Sequence, residues 1–310
     1  MNLTSINRVH VAKRVPVLEF SDAYWGCCRH RLAVAGHDVA MFFSRVRAGA
    51  LPAVLAMSMA LAAVPCCARA AEAGDPMNSP VWGDLAKKVF AGAPYVYDER
   101  VKVIVPSVVE DQAAVPITAD ARGIGTVTKL AVIADLNPIQ HVLTLSPDKA
   151  EPYVSVRLKV EQGTPVRAAA LTSDGVWHVG STYLDAMGGG CTAPAMARKD
   201  ADWTTTVGQT QGRIWRESEG TARLRLRMRH PMDTGLAKDG TPAFFIERVD
   251  VKDPDGGKLA TVEMYEPVSE DPTMTLLITL APSATAVTVD GRDTAGEIFR
   301  ANIPAGPLVR

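Results

Sequence analysis

The chain has 310 residues, a formal net charge of −1, five cysteines and 47% hydrophobic residues. A near-neutral chain of this length gives no reason to expect nucleic acid or an acidic surface as partner, and about 240 residues remain for folded structure once an N-terminal leader is set aside. That remainder suits two domains of ordinary size.

Residues 1–40 are basic and patternless and hold Cys27, Cys28 and His30. They read as a non-native upstream extension from a start codon placed too early. A metal site built from Cys27, Cys28, His30 and His37 fails on spacing, because adjacent cysteines are not the C-x-x-C pairs of zinc sites. From Met41 the chain runs MFFSRVRAGALPAVLAMSMALAAVPCCARAAEAG. Arg45 and Arg47 precede an apolar run from Ala50 to Val64, and Ala68-Arg69-Ala70 supplies small residues at cleavage spacing, so residues 41–70 are expected to be a secretory signal peptide. The run is shorter than the roughly 20 residues that span a bilayer, and Pro52 interrupts it. Val64-Pro65 is a poor lead-in for lipoprotein cleavage at Cys66 or Cys67, so the mature chain is expected to begin near Ala71.

Trp82, Leu85, Val89 and Phe90 stand at helical spacing and predict one short helix over Val81–Phe90. Short runs rich in β-branched residues follow at Val101–Val109, Val127–Ala134, His141–Leu145, Tyr153–Val160, Val166–Leu171 and Val176–Leu184. Turn residues such as Asn137-Pro138 and Ser173-Asp174-Gly175 separate them, which predicts a sandwich of antiparallel sheets. The stretch DAMGGGCTAP, residues 185–194, then places Cys191 behind Gly188, Gly189 and Gly190.

A linker rich in charge and threonine is expected over 195–218. Beyond it, Leu224, Leu226 and Met228 alternate with Arg223, Arg225, Arg227 and Arg229, the pattern of a half-buried strand with a cationic outer face. That ladder reads as a solvated sheet face, with docking to an acidic redox partner as the minority reading. Further strands are expected at Ala243–Val249, Leu259–Tyr265, Thr275–Leu280, Ala286–Val289 and Ile298–Ile303. The fold class is therefore all-β, with two sandwich domains in tandem, 75–194 and 219–306, and one short N-terminal helix.

With the leader set aside, Cys191 is the one cysteine of an exported chain, where oxidising conditions normally pair cysteines. It can be an inert buried residue, an intermolecular disulfide that pairs two chains, or a reactive thiol open to solvent. Three glycines offer nothing to pack against and favour the third reading, a flexible arm that presents the thiol. Arg198 and Lys199 lie near enough in sequence to favour the thiolate, although a solvated pair is the plainer reading. His141, His178 and His230 read as structural or surface residues, since no partner stands at ligand spacing. No Cys-His-Asx spacing supports a hydrolase, and Gly123-Ile124-Gly125 lacks the third glycine of a dinucleotide loop.

Arg229 to Val251, RHPMDTGLAKDGTPAFFIERVDV, resembles the signature of SoxZ, an immunoglobulin-like subunit of a periplasmic sulfur-oxidation carrier, in His230, Pro231, Met232, Asp233, Thr234 and Gly235. Leu171 to Cys191, LTSDGVWHVGSTYLDAMGGGC, is similar to the end of its partner subunit SoxY. The resemblance covers Ser79 to Pro304, and the fused arrangement looks like the quinoprotein dehydrogenase-associated SoxYZ-like carrier. It implies immunoglobulin-like sandwiches, a periplasmic location, no catalysis and no cofactor. It also implies covalent attachment of a sulfur-containing group to Cys191, as a thiosulfonate or persulfide. The partners implied are periplasmic redox enzymes, either sulfur-oxidation components or a quinoprotein dehydrogenase and cytochrome c, with no membrane span in the carrier.

One departure matters: the family's arm is a free C-terminus, whereas Cys191 is followed by Thr192-Ala193-Pro194 and a whole domain. The alternative is a non-catalytic interaction module that assists the dehydrogenase or its cytochrome without cargo. The carrier reading expects a thiol open to solvent.

Overall fold

The computed structural model describes residues 74–218 and 220–308. The expected extension at 1–40 and signal peptide at 41–70 lie outside the described residues. Among the described residues no helix is long and apolar enough to cross a membrane.

Helix α1, Trp82–Phe90, is followed by β1 (Tyr95–Tyr97), β2 (Lys102–Ile104), β3 (Val115–Asp120), β4 (Val127–Ala134), β5 (His141–Ser146), β6 (Ala150–Leu158), β7 (Thr164–Thr172) and β8 (Trp177–Leu184). After a connection come β9 (Thr210–Arg216), β10 (Thr221–Met228), β11 (Ile246–Lys252), β12 (Lys258–Met264), β13 (Thr273–Thr279), β14 (Ala286–Asp293) and β15 (Ile298–Leu308). The alternation read at Ala222–Arg229 is seen in β10, where Leu224, Leu226 and Met228 are buried and Arg223, Arg225 and Arg227 are exposed.

The two sandwich halves join edge to edge in both layers. In one layer β5 pairs antiparallel with β12, Leu143 opposite Met264 and Ser146 opposite Thr261. In the other, β6 pairs antiparallel with β13, Ser155 opposite Thr275. Strand β15 pairs with β14 along most of its length and reaches β9 of the opposite layer through Ala305 and Leu308. A single hydrophobic cluster therefore runs through both halves, from Val101, Leu143 and Leu158 to Leu226, Val262 and Leu276. The pairing also satisfies backbone groups at strand edges that would otherwise need covering.

Helix α1 covers the outer face of β4 and β7 through a second cluster of Trp82, Leu85, Phe90, Ile133, Ala169 and Trp177. This explains why β4 and β7 read as nearly continuous apolar runs: both faces of these strands are covered. Arg167, fully buried, anchors the chain before the helix, pairing with Asp135 at 2.7 Å and Asp75 at 2.7 Å while its guanidinium lies 3.9 Å from the Trp82 ring.

Four strands depart from the sequence reading. The first is β1, which is absent from the expected strands and pairs parallel with β8 where antiparallel sheets are expected. The run Val101–Val109 contributes only the three residues of β2, since Pro106 lacks the N–H that would continue a ladder. Strand β3 carries Pro116 with its flanking turns, and β9 lies inside the expected 195–218 linker, where Gly212 and Gln211 blunt the apolar alternation. The remainder of that linker holds a 3-10 turn at Ala197–Lys199 and one helical turn at Trp203–Thr206.

Candidate functional site: a thiol strapped down between the halves

Residues 185–196 leave the end of β8 as a strap without strand or helix and cross from the first half to the second. Cys191 lies at its centre with 1% of its surface exposed. This corrects the expectation of a thiol presented to solvent. The glycines that suggested a projecting arm instead let the strap lie flat. A Cβ on Gly190 would meet the carbonyl oxygen of Gln112 at 2.0 Å, and one on Gly188, whose φ is +101°, would meet that of Glu161 at 2.2 Å. The Gly190 N–H donates to the Val160 carbonyl at 3.0 Å. Met187 beside them is 97% exposed, so the strap's outer surface is open while its thiol faces inward.

Residues just past β6 grip the strap from the first half. The Glu161 carboxylate accepts the backbone N–H of Cys191 at 3.0 Å, that of Thr192 at 3.2 Å and the Thr192 hydroxyl at 3.2 Å. The Cys191 thiol donates to the Lys159 carbonyl at 3.5 Å, which also accepts the Asn137 side-chain amide at 2.8 Å.

From the second half, the loop His230–Gly235 forms the other side of the seat. Thr234 Oγ1 donates to the Cys191 carbonyl at 2.6 Å, and Lys159 Nζ donates to the Met232 carbonyl. His230 Nδ1 accepts the Met232 N–H at 3.0 Å, a compact turn in which Met232 holds φ of +50° and Gly235 φ of +76°. Asp233 pairs with Arg198 at 2.5 Å, tying this loop to the strap's exit. Cys191 and the HPMDTG loop, legible as separate motifs, are one site.

Burial raises the Cys191 pKa to about 12, with the Glu161 carboxylate adding to the rise and the Lys159 ammonium opposing it. Burial lowers the Lys159 pKa to about 8. The docked thiol is thus protonated and unreactive at neutral pH, since the thiolate is the nucleophile. Arg198 and Lys199 do not activate it: Arg198 pairs with Asp233 and stacks 4.4 Å over Trp203, and Lys199 is exposed.

Sequence reasoning missed Lys159, Glu161 and Gln112. Lys159 lies within the expected strand Tyr153–Val160 and Glu161 just past it, and only the long-range crossing of the strap sets them beside the thiol. His178 pairs with Asp98 at 2.8 Å, and His141 stacks on Tyr265 at 4.3 Å, so both have structural partners. Burial lowers the His230 pKa to about 3 and the His141 pKa to about 4. Among the described residues no three His, Cys, Asp or Glu side chains gather as a metal ion requires.

Two immunoglobulin-like β-sandwich halves that close over Cys191, the single thiol of the described residues, define the class of this protein. Residues 86–191 match the family model described as "Sulfur oxidation protein SoxY", and residues 214–304 match that described as "Sulphur oxidation protein SoxZ". The chain carries SoxY and SoxZ domains in tandem.

Comparison with the curated proteins finds no match. Among solved structures, the sulfur carrier protein SoxY from Chlorobium limicola f thiosulfatophilum is 18% identical with a TM-score of 0.31, covering 34% of this chain and 91% of its own. A central fibronectin-III array of RIM-binding protein is 12% identical with a TM-score of 0.21, covering 67% of this chain and 69% of its own. A glycosyl hydrolase family 2 member from Bacteroides cellulosilyticus DSM 14838 is 11% identical with a TM-score of 0.19, covering 65% of this chain and 28% of its own. At these scores the three likenesses carry no functional argument.

Proposed function

We propose that this protein is a periplasmic carrier, exported by the leader at 41–70, that binds a sulfur-containing group covalently on Cys191 and hands it to partner redox enzymes without catalysing a reaction itself. The observation that carries this reading is one of position. The SoxY match ends on Cys191, the free cysteine of the described residues, and the SoxZ-type residue Thr234 holds the carbonyl of that same cysteine.

Loading with thiosulfate takes the following form. The Cys191 S–H bond breaks, an S–S bond forms between Sγ and the outer sulfur of thiosulfate, one proton goes to solvent, and two electrons pass to oxidised haem centres of a partner of the c-type cytochrome class. The docked thiol cannot undergo this step, so the strap must first lift. Its hydrogen bonds contribute about 0.5–1.5 kcal/mol each. A handful of them makes the open state rare, and a partner shifts the balance by binding the open form better than the closed one. The glycines then act twice, allowing close docking in one state and a thin, pliable arm in the other.

The test is the intact mass of the protein recovered from cells grown on thiosulfate. An added sulfur or thiosulfate mass on Cys191, absent from Cys191→Ser, supports the carrier. An unmodified thiol under the same growth overturns it. The burial of Cys191 favours a second reading, an interaction module that assists a quinoprotein dehydrogenase or its cytochrome without cargo, and the same measurement separates the two.

A further inference from the structure

The outer face of the β9–β10 layer carries Arg213, Arg223, Arg225 and Arg227, of which Arg223 pairs with Glu217 at 3.1 Å and Arg227 with Asp271 at 2.9 Å. Arg213 and Arg223 flank the Trp215 ring at 5.0 Å and 4.8 Å, and Arg225 lies opposite Arg213 in the sheet register. Towards the join between the halves this face opens into a groove of 610 Å³ lined by Arg157, Arg225 and Arg227 together with Thr273, Met196 and Ala113.

Three carboxylates, Asp111, Glu270 and Asp271, also line the groove, and of these Asp271 is paired with guanidiniums while the other two accept backbone N–H groups. Asp271 pairs with Arg227 at 2.9 Å and with Arg229 at 3.1 Å. Glu270 accepts the Met196 N–H at 2.6 Å, and Asp111 accepts the Ala113 N–H of its own loop at 2.9 Å. Arg157 and Arg225 have no carboxylate partner among the described residues, and both are exposed.

The groove meets the strap at Met196 and comes near it again beside Gly190. Met196, which closes the strap, lines the groove, and Gln112, between the lining residues Asp111 and Ala113, carries the carbonyl against which Gly190 packs. A strap that lifts therefore opens beside two uncommitted guanidiniums.

We propose that the Arg157–Arg225–Arg227 groove is an oxyanion site that draws the negatively charged end of a small sulfur compound to the opening strap and holds the sulfonate end of the cargo once it is attached to Cys191. The inference rests on the carrier reading for its ligand class. Guanidiniums suit this role because their planar fork matches oxyanion geometry and remains charged at all relevant pH. Guanidiniums without a carboxylate partner at a cleft also raise the encounter rate of anions in a salt-dependent way.

Two thiol reagents of different charge test it on the full chain. Dithionitrobenzoate is a disulfide carrying two carboxylates, and dithiodipyridine is neutral. Used at concentrations where the rate is first order in reagent, both report strap opening equally, so the ratio of their rates isolates the charge effect. Arg157→Gln combined with Arg225→Gln is expected to lower the dithionitrobenzoate rate roughly threefold or more while leaving the dithiodipyridine rate unchanged. The difference should fade in about 1 M salt, and Arg225→Lys should retain the wild-type ratio. A ratio unmoved by the substitutions overturns the proposal, as does a change that persists at high salt or a native protein that reacts with neither reagent. The carrier reading stands or falls separately, on the mass carried by Cys191.

Discussion

Glu161 Oε2 lies 3.0 Å from the backbone nitrogen of Cys191, and the same carboxylate receives two further hydrogen bonds from Thr192. A half-buried carboxylate satisfied by the strap is a latch, because charge-assisted bonds to backbone N–H groups are among the stronger contacts a loop can make. Glu161→Ala is expected to raise the alkylation rate of Cys191 by a neutral reagent roughly tenfold or more, corresponding to about 1.5–3 kcal/mol of lost docking. Thr234→Val, which leaves the Cys191 carbonyl without its hydroxyl donor, should act in the same direction by a smaller factor. Rates equal to wild type in both variants would show that these contacts do not hold the strap.

The pH dependence of the same reaction carries a signature of burial. A free thiol with a pKa of about 8.5 stops gaining reactivity above that pH. The docked Cys191 pKa of about 12 keeps the closed state protonated well beyond it. Between these two values the open strap loses a proton that the closed strap retains, so opening becomes more favourable as pH rises. The observed rate should therefore keep climbing about tenfold per pH unit from pH 8.5 to 10. A plateau near 8.5 would show that the thiol reacts from a solvated state at all times.

Lys159 contributes to global stability with the opposite sign. Its folded pKa of about 8 lies below the unfolded value near 10.4, so between those values the unfolded chain binds more protons and folding gains stability as pH rises. Denaturant midpoints of wild type minus those of Lys159→Met should increase from pH 8 to 10. A flat difference would mean that the ammonium is solvated in the native state.

The sequence made the strands legible wherever apolar residues alternate or run unbroken. The limits of β4, Val127–Ala134, are those read from its residues, and the alternation in β10 translates directly into buried and exposed side chains. What it could not convey is that the halves join edge to edge, because pairing of β5 with β12 and of β6 with β13 depends on register between segments more than 100 residues apart. The site was legible in its parts, Cys191 and the HPMDTG loop, but its geometry was not. Consecutive glycines signal either freedom to project or room to pack closely, and composition does not distinguish the two. Here Gln112, Val160 and Glu161, all more than 25 residues away along the chain, decide for packing.

Arg167 supplies a control for strap effects. It is fully buried between Asp135 and Asp75, and the Trp82 ring lies beneath its guanidinium. Removing one member of such a set leaves buried carboxylate charge uncompensated, at a cost of about 3–5 kcal/mol. Arg167→Leu should lower the denaturation midpoint accordingly while leaving the native-state reactivity of Cys191 unchanged, since this anchor holds α1 and touches no part of the strap. Faster alkylation in native conditions would tie the N-terminal anchor to the thiol.

The glycines allow docking contacts to be ranked by position. At Gly190 a methyl group would lie 2.0 Å from the Gln112 carbonyl oxygen and 2.8 Å from that of Val160, and backbone cannot move aside as a flexible side chain can. Gly188 combines φ of +101° with a 2.2 Å approach to the Glu161 carbonyl oxygen. Gly189 faces open space, so alanine there meets only the backbone cost of φ +88°, about 1 kcal/mol. Alanine at 190 or 188 should therefore expose the thiol to alkylation far more than alanine at 189, with the midpoint of global unfolding lowered in each by no more than the docking or backbone energy lost. If the three substitutions prove equivalent, the glycines serve backbone freedom alone, and the close seat beside Gln112 is not what shields Cys191.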